Sequence, residues 1–215
     1  MTGPKMLSQN TLMTIPVGYV ADDRGCVALA AMSPSGVMRM LAANLLRVGT
    51  MSGISSPSLI SDVAAGRVVV AADQYEKFAQ NIQPFLDAIA KAGGGSVGYG
   101  LPKMTPVYGG ALHNHIYFGL VECDMGTHQI AAASKEAVTT WAEQVVQDII
   151  NNPDLDGPSA MRVFQNDLNN YVNIVQIEAS PSLKTTLAVA SLGVAACEVQ
   201  APSQAAAQPA PQLAV

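Results

Sequence analysis

Charged side chains are scarce in this chain. Its 215 residues include 11 Lys or Arg and 16 Asp or Glu, so 13% are charged, about half the share of ~25% that is usual in soluble proteins. Mean hydropathy is +0.25, yet no uncharged stretch reads as an apolar transmembrane helix of roughly 20 residues. A water-exposed surface normally carries many charged side chains. We therefore expect other copies of the protein to cover much of this surface.

Clusters of basic residues are also absent. Net charge is −5 and the isoelectric point is near 5.0. Electrostatic binding of nucleic acid needs grouped Lys and Arg, so we expect no direct contact with nucleic acid. Because no apolar stretch is long enough, we also expect no membrane span. The first residues lack the apolar run of a signal peptide, and no Asn-x-Ser/Thr acceptor occurs. These features predict a cytoplasmic protein, or a virion protein if the source is viral.

Cysteines are few and widely spaced. Cys26, Cys123 and Cys197 are the three in the chain. Their odd number and wide spacing exclude a disulfide framework and a CxxC metal knuckle. We expect reduced, mostly buried thiols.

The hydrophobic spacing predicts an α+β fold, in which a mostly antiparallel sheet packs with three or four amphipathic helices. Strands are expected within residues 11–32, 68–71, 96–121 and 171–179, the strongest of them over Ala111–Val121. Three apolar stripes at helical spacing comprise Val37, Met40, Leu41, Leu45 and Val48; Tyr75, Phe78, Ile82, Phe85, Leu86 and Ile89; and Val138, Trp141, Ala142, Val145 and Ile149.

Small residues mark the expected boundaries. Gly49 is predicted to end the first helix, and the Ser/Gly-rich segment 50–66 is predicted to be a loop. The glycine run that starts at Gly93 matches G-x-G-x-x-G, but it follows a helix rather than a strand, so we interpret it as a helix stop. Residues 183–199 are almost entirely small and apolar, which fits a buried helix or strand.

The composition changes at both ends of the chain. We predict an N-terminal arm over residues 1–10, a single α+β domain over 11–199, and an Ala/Pro/Gln-rich arm or tail over 200–215. The last segment has no charge and three prolines. It is typical of a disordered tail, or of an extended arm that lies on a neighbouring subunit.

The three histidines are the best candidates for site chemistry. His113 and His115 alternate along the predicted strand Ala111–Val121, which would direct both rings to one face. Cys123 and His128 follow closely, and imidazole with thiolate suits zinc. No fixed third ligand has diagnostic spacing, so the alternative is a polar sheet face or a subunit contact. Cys123 paired with one histidine would instead be a Cys/His nucleophile.

One acidic stretch resembles the first half of a calcium loop. Asn152, Asp154 and Asp156 alternate and are followed by Gly157, but the Glu expected at the twelfth position is replaced by Val163. The same residues make ordinary turns between helices.

Together these features favour a self-assembling structural subunit, such as a viral capsid, virion or shell protein. Residues 1–16 and 200–215 are expected to carry the contacts, and the partners are other copies of the chain, together with other structural proteins of the same assembly. This hypothesis needs no catalytic residue and no cofactor. The main alternative is a metal-binding protein or metal-dependent enzyme that uses the histidine cluster with zinc. A third hypothesis is a small-ligand module with a pocket beneath residues 93–110.

Overall fold

A computed structural model describes residues 10–123, 126–151 and 172–199, with the backbone alone at Gly94, Cys123 and 192–199. The strands are β1 (Thr11–Asp22), β2 (Gly25–Ala30), β3 (Gly98–Tyr108), β4 (Tyr117–Cys123), β5 (Gly126–Ala132), β6 (Val172–Gln176) and β7 (Glu178–Ala179). The α-helices are α1 (Pro34–Met51), α2 (Ser58–Ala64), α3 (Tyr75–Ile89), α4 (Lys135–Ile150) and α5 (Pro181–Val199). The protein has the predicted α+β fold.

The seven strands form one mostly antiparallel sheet in the order β6-β4-β5-β3-β1-β2-β7. The β3–β5 and β2–β7 pairs are parallel, and both are only two residues long. The rings of Tyr19 on β1 and Phe118 on β4 lie with centroids 6.0 Å apart, although two strands stand between them and a flat sheet would separate β1 from β4 by about 14 Å. The Cα atoms of β6 also approach those of β2 to within 8 Å. The sheet is therefore strongly curled, with a concave and a convex face.

The curled sheet has two ends, which we name after what lies there. The hairpin end holds the Asp23–Arg24 turn of the β1–β2 hairpin, together with the last residues of β4 and the first residues of β5. The α5 end lies opposite. There the backbone N–H of Ser180 donates to the carbonyl of Ala30 over 2.8 Å, and α5 begins at the next residue. Leu183 and Leu187 of α5 are buried in the concave core.

Four helices cover the convex face. Helices α1, α2 and α3 share one apolar cluster over the β1–β3 half, and α4 forms another over the β4–β6 half. Two strand glycines let the helices approach closely. A Cβ at Gly18 would lie 3.0 Å from Cγ1 of Val37 on α1, and a Cβ at Gly119 would lie 2.5 Å from Cγ1 of Val138 on α4. Any larger residue at these positions would push a helix away from the sheet.

The three predicted helical stripes are confirmed as α1, α3 and α4, and residues 183–199 fall within helix α5. The N–H groups of Gly36 and Ala137 donate to the hydroxyls of Ser33 and Ser134, which cap α1 and α4 at 3.2 Å each. After α3, a π-helical turn ends in the predicted glycine stop, where Gly93 has φ 79°.

Three local predictions are wrong. Gly49 does not end α1, because it lies inside the helix beneath the ring of Phe85, where a Cβ would collide. The segment 50–66 is not all loop, because Ile60 and Val63 are buried and anchor α2. Residues 68–71 do not form a strand. The N–H of Val68 donates to the carbonyl of Asp62 near the end of α2, instead of to a carbonyl of a neighbouring strand.

Two further boundaries differ from the prediction. The strand expected over Ala111–Val121 begins only at Tyr117, because the chain leaves β3 and must cross the end of β5 before it enters β4. Residues 11–16 are not part of an arm, since they belong to β1 and Ile15 is buried. Residues 1–9 and 200–215, the remaining parts of the predicted arms, lie outside the described residues.

Candidate functional site

The structure divides the predicted histidine cluster. His113 and His115 lie in the loop 109–116 at the α5 end. His128 lies on β5 opposite Val121, toward the hairpin end. Val121 is four strand residues beyond Tyr117, the first residue of β4, which is a distance of about 13 Å along the strand. Among the described residues, no three His, Cys, Asp or Glu side chains are grouped to hold a metal ion. Cys123 ends β4, and its side chain lies outside the description. Zinc binding through His113 and His115 stays a prediction.

The predicted calcium ligands cannot be placed. Asn152, Asp154 and Asp156 lie outside the described residues. The calcium interpretation and the alternative of an ordinary turn both stay predictions.

The histidine loop is fastened to the elements beside it. The amide Nε2 of Gln176, at the end of β6, lies 2.9 Å from Nδ1 of His115. Because an amide nitrogen only donates, Nδ1 accepts and the neutral ring carries its proton on Nε2. The hydroxyl of Ser191 on α5 donates to Oδ1 of Asn114 over 2.8 Å. These bonds give Asn114 and His115 a structural role, because they hold the loop against β6 and α5.

A polar cleft of about 720 Å³ opens at the hairpin end. The β1–β2 turn, Ser96, Gly98, Glu122 and Asn173 line it. Sequence reasoning missed this cleft because its residues come from four distant parts of the chain. The one local signal was the polar hairpin turn.

An ion pair orders one wall of the cleft. The Arg24 guanidinium lies 2.6 Å from Oδ2 of Asp22, and the backbone N–H of Arg24 donates to Oδ1 over 2.9 Å. Burial alone would raise the pKa of Asp22, but the hydrogen bonds and charge of Arg24 lower it below its usual value. The neighbouring Asp23 carboxylate packs against Gly95, where φ is 72° and any side chain would collide. The Asp22 carboxylate therefore stays ionised at neutral pH, paired with Arg24.

The concave core carries polar groups near the cleft. Burial, and then the charge of Glu122, raises the pKa of the Cys26 thiol to about 12. The same two causes raise the pKa of Tyr19, although a hydrogen bond with Thr127 opposes them. Cys26 is a free thiol, as the sequence predicted, but it is half-buried rather than mostly buried; its raised pKa keeps it protonated. Since only the thiolate is a strong nucleophile, Cys26 does not provide covalent chemistry.

The outward side of α5 is uncharged. We call it the α5 surface; it comprises Met32, Ser182, Thr185, Thr186 and Val189, all exposed. Met32 is 54% exposed and Val189 is 65% exposed. The Thr186 hydroxyl lies 3.8 Å from Sδ of Met32, which joins the loop before α1 to the helix. A sequence signal for this surface was present, because residues 181–199 contain only two charged residues, Lys184 and Glu198.

No helix within the described ranges has the length and apolar character that a membrane crossing requires. Comparisons of this chain with models of protein families, with curated proteins and with solved structures gave no match.

Proposed function

We propose that this protein is a self-assembling structural subunit, of the kind that builds viral capsids, virions or other protein shells. It acts by burying uncharged surface in repeated contacts with other copies of itself, and with other structural proteins of the same assembly. The α5 surface is the observation that carries the proposal. It supplies an outward helix face with no charge in a chain that has little charge anywhere.

Apolar side chains lie on both sides of α5, although hydroxyl residues make up most of its exposed side. In α5, Leu183 and Leu187 face the concave core, while Val189 on the opposite side is left in water. Burying the exposed part of one valine side chain is worth about 1–2 kcal/mol. A second copy would provide that burial for Val189 and Met32 together.

A second copy is also the partner that this surface fits best. The cores of protein interfaces are depleted in charged residues, and the α5 surface has no charge that would select an oppositely charged partner. In a two-fold contact the same patch meets itself, so an uncharged patch is complementary to its own copy. Contacts through residues 1–9 and 200–215 would add to it and stay part of the prediction.

Size-exclusion chromatography with light scattering tests this function. The wild-type chain should elute at a multiple of 22.3 kDa, and Val189→Glu should lower the mass because it places a charge in each contact. Val69→Glu is a matched control, since Val69 is 69% exposed but lies in the connection between α2 and α3. It should keep the wild-type mass.

A wild-type monomer at every concentration would contradict the proposed function. A large wild-type assembly that Val189→Glu leaves intact would keep self-assembly and exclude the α5 surface as its contact. Equal dissociation by both variants would also show that the α5 surface has no special role.

A further inference from the structure

A second cavity, of about 340 Å³, lies on the other side of α5, where the helix crosses the end of the sheet. Its volume falls in the range of small-molecule sites, about 300–1,000 Å³. The histidine loop, the β6–β7 segment and α5 line it. Two hydrogen bonds described above, His115 with Gln176 and Asn114 with Ser191, fasten these three walls to one another. The cavity is therefore built by the fold and does not depend on a single mobile loop.

The floor and the rim of this cavity differ in chemistry. Ile116, Ile177 and Leu187 form an apolar floor, and each of them is buried. The rim carries the Lys184 ammonium and the imidazole of His115, whose Nε2 carries the proton. None of the described lining residues is acidic, and Lys184 makes no ion pair within the described part of the chain.

The position of α5 adds to the positive rim. Lys184 lies in the first turns of this 19-residue helix. The N-terminal end of a helix carries a partial positive charge. Lys184 and His115 thus stand at the rim of an apolar floor, and no carboxylate among the described lining residues neutralises them.

We propose that this cavity binds a small organic monoanion with an aliphatic tail, such as a short-chain carboxylate. The carboxylate would accept hydrogen bonds from Lys184 Nζ and His115 Nε2, and the tail would cover Ile116, Ile177 and Leu187. This site is separate from the α5 surface and does not depend on self-assembly.

Saturation-transfer NMR on the full chain tests the proposal, because it works for small and large particles alike. The probes are hexanoate, hexanol and hexylamine, which share one tail and differ in the charge of the head group. Hexanoate should bind in about the millimolar range, hexanol more weakly, and hexylamine weakest. Equal signals from all three probes, or no signal from hexanoate, would overturn the proposal.

Three variants locate the binding. Lys184→Gln removes the charge and should weaken hexanoate binding by about threefold to fivefold. Ala188→Phe fills the cavity from its half-exposed wall and should abolish the signal. Lys103→Gln, which removes an exposed lysine on β3, should change nothing. If Lys184→Gln and Ala188→Phe both bind hexanoate like the wild type, the anion site is not in this cavity.

Discussion

Replacing Gly119 by Ala tests how closely α4 packs on the convex face. A Cβ at this position would lie 2.5 Å from Cγ1 of Val138, 3.0 Å from Cζ3 of Trp141 and 3.1 Å from Cγ2 of Ile130. All three neighbours are buried, so none can move into solvent. Overpacking of this kind costs about 2 kcal/mol. For a chain of this size, that corresponds to a fall of about 4–8 °C in Tm.

Gly110→Ala is the matched control for this substitution. Gly110 is exposed, and a Cβ there would meet nothing within 4 Å. The unfolding free energy of Gly110→Ala should differ from that of the wild type by less than about 0.5 kcal/mol. Urea denaturation followed by circular dichroism measures both variants against the wild type. If Gly119→Ala is as stable as Gly110→Ala, α4 does not pack against β4 as described, and the account of the convex face is wrong.

Three further predictions concern the concave core. In a variant with Cys123 and Cys197 replaced by Ser, Cys26 in the folded protein should react slowly with iodoacetamide. At about pH 8 its rate should be about a thousandfold lower than that of an exposed thiol, because its pKa is about 12. Rapid labelling before unfolding would contradict its burial. Tyr19 has a raised pKa, so it keeps its proton in the folded protein at a pH where the unfolded chain loses it. Its stabilising contribution is present below about pH 10 and is lost as the pH rises through the folded value. Urea denaturation should therefore show a smaller loss of stability above pH 10 in Tyr19→Phe than in the wild type. Equal losses in the two proteins would refute the contribution of Tyr19. Glu122→Gln should lower the pKa of Tyr19. The titration of Tyr19 is obtained from tyrosinate absorbance as the difference from the Tyr19→Phe variant. An unchanged titration would contradict the effect of the Glu122 charge on Tyr19.

Local sequence patterns were sufficient for most of the helices. The stripes of α1, α3 and α4 repeat at helical spacing over about three to four turns, and each buries one face against the sheet. Helix α2 was missed because seven residues carry only two buried positions, Ile60 and Val63, amid Ser and Gly. Such a short helix is stabilised by its tertiary contacts rather than by its own sequence.

The curl of the sheet and the positions of its loops were not accessible from the sequence. Strand order depends on contacts between distant residues, such as Tyr19 with Phe118, and no local pattern encodes them. For the same reason the histidines, close in sequence, are divided between the loop before β4 and strand β5. The cleft shows the converse, since Asp22, Glu122 and Asn173 are distant in sequence and share one cavity.

The expectation that other copies cover the charge-poor exterior of this protein stays a prediction. Sequence composition alone does not indicate which part of the surface they would cover. The structure adds the α5 surface, because it shows which side of this charge-poor helix faces the core and which side is exposed. The same helix also forms a wall of the anion cavity, so its two sides carry the two proposals independently.

Electron microscopy of the purified wild-type chain is the most direct test of the central claim, that copies of this protein cover one another's uncharged surface. Micrographs should show uniform particles built from many copies. A field of separate 22.3 kDa molecules, in a preparation concentrated well above micromolar and still folded, would contradict the account.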